Sequence, residues 1–255
     1  MDQDMSLDRL SEAVSMCSAC ALGARGKGVP GMLVLPENQT PTGSDLVGAV
    51  IVLGEAPGAI EQERGQPFVG QSGELLHSML KECGLESYYV SNIAKHQPFK
   101  DKHGKQQAPS KTEIEACAPF LRAEFDLVKP AKLILLGKTA AKLVVDGNFS
   151  MGKVVNQTFE YGGKNTLNLL TDTKHHLCHG DMDGHTCLLG ECEIHYPKKA
   201  IPTLILYHPA YFLRQRTAPW IQKQIRDWKW AVRMFLGDRP PTYQIEKVKC
   251  DVHSV

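Results

Sequence analysis

Apolar side chains gather into four short runs along the 255-residue chain, separated by stretches of helical periodicity. The runs at 47–53, 88–93, 132–136 and 203–207 are strand-length, and three of them are rich in Val, Ile or Leu. They read as buried strands. Between the first two, Leu75, Leu76, Met79, Leu80 and Cys83 form one apolar face at helical spacing. A second helix opens at Ser110, with Glu113 three residues on in the spacing of a capping box. Its apolar positions are Ile114, Cys117, Leu121, Phe125 and Val128, and Pro119 among them predicts a kink or a split. The last helix starts near Pro219 and carries a buried stripe of Ile221, Ile225, Trp228, Val232 and Phe235. Strand alternating with helix predicts an α/β fold, a mostly parallel sheet covered on both faces.

Residues 1–237 read as a single domain. A segment rich in His, Cys and Gly at 171–199 breaks the rhythm and reads as an insertion before the last strand. Residues 238–255 carry two prolines and mixed charge and read as a C-terminal tail. The net charge is only +1, so any nucleic-acid binding must rest on basic residues concentrated on one face. No apolar run reaches the roughly 20 residues of a membrane helix. The acidic, amphipathic N-terminal stretch does not read as a secretory signal. A cytoplasmic protein without membrane contact is expected, and there eight cysteines point to metal ligands or core residues rather than disulfides.

Two constellations carry chemistry. Cys17 and Cys20 form a C-x-x-C that can place two thiolates on one metal centre. Cys117, on the buried face of its helix, and His96, just after the second strand, are candidates for the remaining ligands. Spacing alone leaves open that Cys117 packs as a small apolar residue. The second constellation lies at strand ends, where doubly wound sheets bind ligands. The first strand runs into Gly54-Glu55-Ala56-Pro57-Gly58, and Gly65-Gln66-Pro67-Phe68-Val69-Gly70 follows. The second strand ends in Ser91-Asn92, and the last leads into His208-Pro209-Ala210-Tyr211-Phe212-Leu213-Arg214. Phe68, Asn92 and His208 each have an ordinary structural reading; at three strand ends they read together as a pocket.

These segments, in this order from Cys17 to about Leu236, resemble the family-four uracil-DNA glycosylases, which carry an iron–sulfur cluster. The resemblance implies a three-layer α/β/α sandwich around a four-stranded parallel sheet. It also implies a [4Fe–4S] cluster held by Cys17, Cys20, His96 and Cys117. Most of the family has a cysteine where His96 stands; Lys95-His96 looks instead like the X-type branch, which uses histidine there. That branch also has a loop with an arginine pair and a histidine that bonds covalently to the abasic sugar. The corresponding stretch here, KDKHGKQQAPSKTE, is shorter and lacks that motif, and His103 does not align with it, so ordinary turnover is expected.

The resemblance implies hydrolysis of the N-glycosidic bond of uracil, or a related pyrimidine, flipped out of single- or double-stranded DNA by a monomer. Gly54, Phe68, Asn92 and Glu61 would bind the base, with Phe68 stacking on it, Asn92 reading O4 and N3–H, and Glu61 near C5. His208 would stabilise charge on the departing base. An aspartate stands at the position of Ala56 in the best-known uracil glycosylases, but not in family four. Glu55 is then the candidate to orient water, or else hydrogen-bonds backbone amides of its loop. Ala59 replaces a usually acidic residue, which would enlarge the pocket. Ser72, Leu213, Arg214 and Arg216 would contact DNA, with Leu213 as a wedge on a loop spanning Tyr211 to Arg214. Lys100, Lys102, Lys105 and Lys111 add a basic run. In the insertion, Cys178, Cys187, Cys192 and His195, with His179 nearby, could bind zinc; a polar His-rich loop is the alternative. Two other functions fit these residues: an iron–sulfur protein that recognises a modified base in DNA without efficient cleavage, and a glycosylase for a modified pyrimidine.

Overall fold

The computed structural model describes residues 6–40, 42–161 and 200–237. The expected insertion at 171–199 and tail at 238–255 lie outside them. The strands are β1 (Met32–Val34), β2 (Val50–Gly54), β3 (Tyr88–Asn92), β4 (Lys132–Leu136), β5 (Thr158–Tyr161) and β6 (Ile201–Leu206). The helices are α1 (Leu7–Ser15), α2 (Gly43–Leu46), α3 (Ala59–Arg64), α4 (Gln71–Glu82), α5 (Lys111–Val128), α6 (Gly137–Ala141), α7 (Met151–Val154), α8 (Pro209–Arg214) and α9 (Ile221–Leu236).

The sheet order is β1-β3-β2-β4-β6-β5, and the inner four strands are parallel, as expected. Their residues alternate between two cores. Ile51, Leu53, Leu133, Leu135 and Ile205 face Ile114, Ala118 and Leu121 of α5. Val52, Val90, Ile134, Leu136, Leu204 and Leu206 face Leu76, Met79 and Leu80 of α4 and Trp228 and Val232 of α9. Strands buried on both faces become near-continuous apolar runs, which is why they stand out in the sequence.

Three details differ from expectation. The sheet has six strands rather than four, because β1 and β5 add antiparallel edges. The first inner strand begins at Val50 rather than residue 47: Val47 is exposed, and Gly48 turns with φ +83° after α2. Finally, α5 runs unbroken through Pro119. Its capping box, with Ser110 Oγ accepting from the Glu113 amide and Glu113 accepting from the Ser110 amide, starts the helix, and its long buried face outweighs one lost backbone donor.

Candidate active site and metal centre

The carboxyl ends of β2, β3 and β6 converge. A side chain at Gly54 would place its Cβ 2.5 Å from Asn92 Oδ1 and 2.6 Å from Phe68 Cζ, so only glycine lets these two groups meet across the end of β2. Phe68 and His208 are stacked, with ring centroids 5.8 Å apart and planes at 21°. The three residues expected to form a pocket therefore share one place in the fold.

Phe68 is held in an unusual backbone conformation. Its φ is +56°, a strained value for a non-glycine residue. The bordering elements enforce it. Its carbonyl is bonded to His77 Nε2 at 3.1 Å, and Gly73 of α4 packs so closely that a Cβ there would sit 1.8 Å from that oxygen. Glu61 clasps the loop from the other side, accepting from the amides of Gly58 at 3.1 Å and Gly70 at 2.9 Å. Its carboxylate thus braces the Phe68 loop.

His208 caps α8, and its Nδ1 accepts the Ala210 amide at 3.2 Å. A backbone amide can only donate, so the proton of the neutral ring lies on Nε2. Burial, helped by the charge of Arg214, pulls the imidazole down to about 4, so it is neutral at physiological pH. The segment carrying Leu213 and Arg214 is helix α8 rather than the expected loop, because His208 and Pro209 together make a helix start. Leu213, Arg214 and Arg216 are exposed on it or just after it, and Ser72 lies in the first turn of α4.

The carboxylate of Glu55 is held by the hydroxyl of Thr139 in α6, not by loop amides. Thr139 sits just beyond β4, the one inner strand end for which sequence reading assigned no polar group; the Leu136-Gly137-Lys138-Thr139 turn was the available signal. Lys100, Lys102 and Lys105 of the basic run lie on a tight turn, with Lys100 bridged to Gln106, whereas Lys111 opens α5; Gln106 Nε2 donates to the Pro57 carbonyl at 3.3 Å. That turn therefore adjoins the loop carrying Pro57.

The expected metal ligands gather at the exit of β3. Cys17 packs with Phe120 of α5, and Cys117 Sγ accepts the Lys95 amide at 3.3 Å. Burial is the main cause that pushes the Cys117 thiol up to about 12, and the nearby Cys20 and Cys17 add to it. His96 is fully buried; burial holds its imidazole below the ordinary value, a contact with the Cys17 backbone opposes that, and neither ring nitrogen makes a hydrogen bond of full geometry. A buried polar group without full hydrogen bonds is costly, and this imidazole is one. Among the described residues, no three His, Cys, Asp or Glu side chains already surround a single ion. Three thiols and an imidazole are a donor set of the kind iron–sulfur centres take. The zinc candidates Cys178, Cys187, Cys192 and His195, and His179 with them, lie outside the described residues.

Between pocket and metal corner lies a pair absent from the sequence reading. Lys95 is fully buried, and its Nζ contacts both Glu124 carboxylate oxygens at 2.8 Å. The same ammonium donates to the Asn92 carbonyl at 2.9 Å and to Ser91 Oγ at 2.8 Å. Glu124 also accepts from the Gly31 amide and the Ser91 hydroxyl. Lys95 thus holds the backbone of Asn92 rather than its carboxamide.

A family model described as the uracil DNA glycosylase superfamily matches residues 41–230. A type-4 uracil-DNA glycosylase of Pyrobaculum aerophilum is 31% identical over 162 residues, covering 63% of this chain and 74% of the relative. One of Thermotoga maritima is 29% identical over 214 residues, covering 83% and 85%. A third, from Sulfurisphaera tokodaii, is 33% identical over 143 residues, covering 54% and 58%.

Proposed function

The chain belongs to the uracil DNA glycosylase superfamily, in its type-4 branch, and from that premise we propose that it hydrolyses the N-glycosidic bond of uracil in DNA. The observation that carries this reading is the meeting of Asn92 and Phe68 at the bare Cα of Gly54, with His208 stacked on Phe68. A base in the duplex is out of reach, so the nucleotide is extruded or taken from a single strand. Phe68 offers its face to the base. The Asn92 carboxamide accepts from N3–H and donates to O4, a polarity that cytosine reverses, so cytosine leaves both groups unpaired.

As the bond to the sugar breaks, negative charge collects on the base. Neutral His208 donates Nε2–H to O2 as that charge grows, and no proton need leave the ring. Because its Nδ1 already accepts from Ala210, the donor is set before substrate arrives. Glu55, steadied by Thr139, orients water toward the sugar or balances the sugar's developing positive charge. Glu61 acts through the Phe68 loop that it clasps. Ser72, Arg214 and Arg216 contact phosphates, and exposed Leu213 enters the space the base vacates.

Cys17, Cys20, His96 and Cys117 would hold a [4Fe–4S] cluster, and the buried His96 imidazole, without a hydrogen bond of full geometry, supports this ligand set. When bound, the cluster supplies bonds that tie the N-terminal segment, the exit of β3 and α5 together. Incubation with uracil-containing oligonucleotides, followed by alkali, tests the function. Strand breaks at uracil are expected, whereas retention of DNA without breaks would leave a binding protein only. A parallel oligonucleotide with hydroxymethyluracil measures whether Ala59 admits a larger pyrimidine.

A further inference from the structure

Next to the pocket runs a row of aromatic rings that base excision does not use. Tyr207, between β6 and His208, is stacked on Tyr211 with centroids 4.4 Å apart and planes at 15°. Trp220 extends the row, with its ring centroid 6.2 Å from that of Tyr211 and the planes tilted at 32°. The row is anchored at the pocket, because the Tyr211 amide donates to the His208 carbonyl at 2.8 Å. It ends in solvent, where Trp220 is 45% exposed. Packing does not demand this: the buried tryptophan that fills the core under α9 is Trp228, whose indole donates to the Tyr207 carbonyl. Arg214 and Arg216, both exposed, lie on the chain between Tyr211 and Trp220.

We propose that Trp220, backed by Tyr211 and Tyr207, is a stacking platform for an unpaired nucleobase flanking the extruded one. Three features converge on that occupant. The row is continuous with the base pocket, its outer ring is an exposed indole, and two exposed arginines lie on the chain between Tyr211 and Trp220. A base inside a duplex has both faces covered by its neighbours and cannot use such a surface, whereas a base in a single strand can. The platform therefore gives single-stranded DNA a contact that duplex DNA lacks. This rests on the excision reading only in taking DNA to cross the pocket mouth.

The test uses full-length protein and uracil-free DNA, so it does not depend on turnover. Fluorescence anisotropy measures binding of a labelled single strand of about 15 nucleotides, and of its duplex. Wild type, Trp220→Ala, Trp220→Phe and Trp230→Ala are compared, with circular dichroism confirming each fold. Trp230 is an exposed tryptophan on α9 that serves as the control. Trp220→Ala should weaken single-strand binding about ten-fold and duplex binding less than about two-fold, with Trp220→Phe restoring most of the loss. Equal losses on both forms, no loss, or the same loss in Trp230→Ala would overturn the platform. Uracil release is measured separately. Release without a strand-selective Trp220 effect sinks the platform alone; a selective effect without release leaves the platform standing and sinks the excision reading.

Discussion

The base pocket and the metal corner adjoin at the exit of β3, yet they are finished to different degrees. In the pocket, protein groups hold every working part: Ala210 sets His208, Thr139 holds Glu55, Glu61 clasps the loop of Phe68, and Lys95 holds the backbone of Asn92. In the corner, His96 is buried and neither nitrogen makes a hydrogen bond of full geometry. On the proposed reading, the contrast separates a site pre-organised by the polypeptide from one that a cluster would complete, and each half can be broken without the other.

The largest effect is expected from His208→Ala. Losing one donor to a developing anion costs about 10²–10³ in rate, so single-turnover excision should fall by that factor while iron content and fold persist. Gly54→Ala comes next. Its methyl must push Asn92 or Phe68 aside, and a displacement on the order of 1 Å lowers the rate about 10²-fold.

Lys95→Met probes the join. Removing the ammonium strands a buried Glu124 carboxylate, for an expected loss of about 3–5 kcal/mol in denaturant unfolding. The paired change Lys95→Met with Glu124→Gln should recover much of that stability. A single variant as stable as wild type would show that the pair contributes nothing.

His96→Leu should act with opposite sign in the two forms of the protein. In iron-free protein it removes a buried imidazole without a hydrogen bond of full geometry and should stabilise by about 1–3 kcal/mol. In protein purified anaerobically it should lower the bound iron and bleach the broad visible absorption. Destabilisation of the iron-free form would refute an unfinished corner.

The smallest effect concerns pH. His208 sits at about 4 when folded, below the ordinary imidazole value near 6.5, so the unfolded chain binds more protons between those limits. Its contribution makes stability rise with pH from about 4 to about 6.5 and stay level above. The acid limb of excision should lie near pH 4, and Arg214→Gln should move it upward by removing the charge that depresses the imidazole.

The four inner strands were legible because burial on both faces turns them into apolar runs, and their polar ends marked Gly54, Asn92 and His208 directly. Other features were hidden for specific reasons. The edge strands β1 and β5 hold three and four residues, too short for periodicity to register. Lys95 and Glu124 lie 29 positions apart, and nothing in either segment announces that two charges meet in the core. Thr139 looks like any threonine after a turn until α6 points it at Glu55. The positive φ of Phe68 is imposed by Gly73 and Glu61 through tertiary contact, and its own residue type argues against it.

The most direct measurement is chromatographic quantification of free base released under single-turnover conditions from matched uracil and cytosine oligonucleotides, by wild type, Asn92→Ala and His208→Ala. Wild type should release uracil and leave cytosine in place, and both variants should lose release by about a hundred-fold or more. Tight binding of uracil DNA with no base released, or release that survives in both variants, would contradict the account.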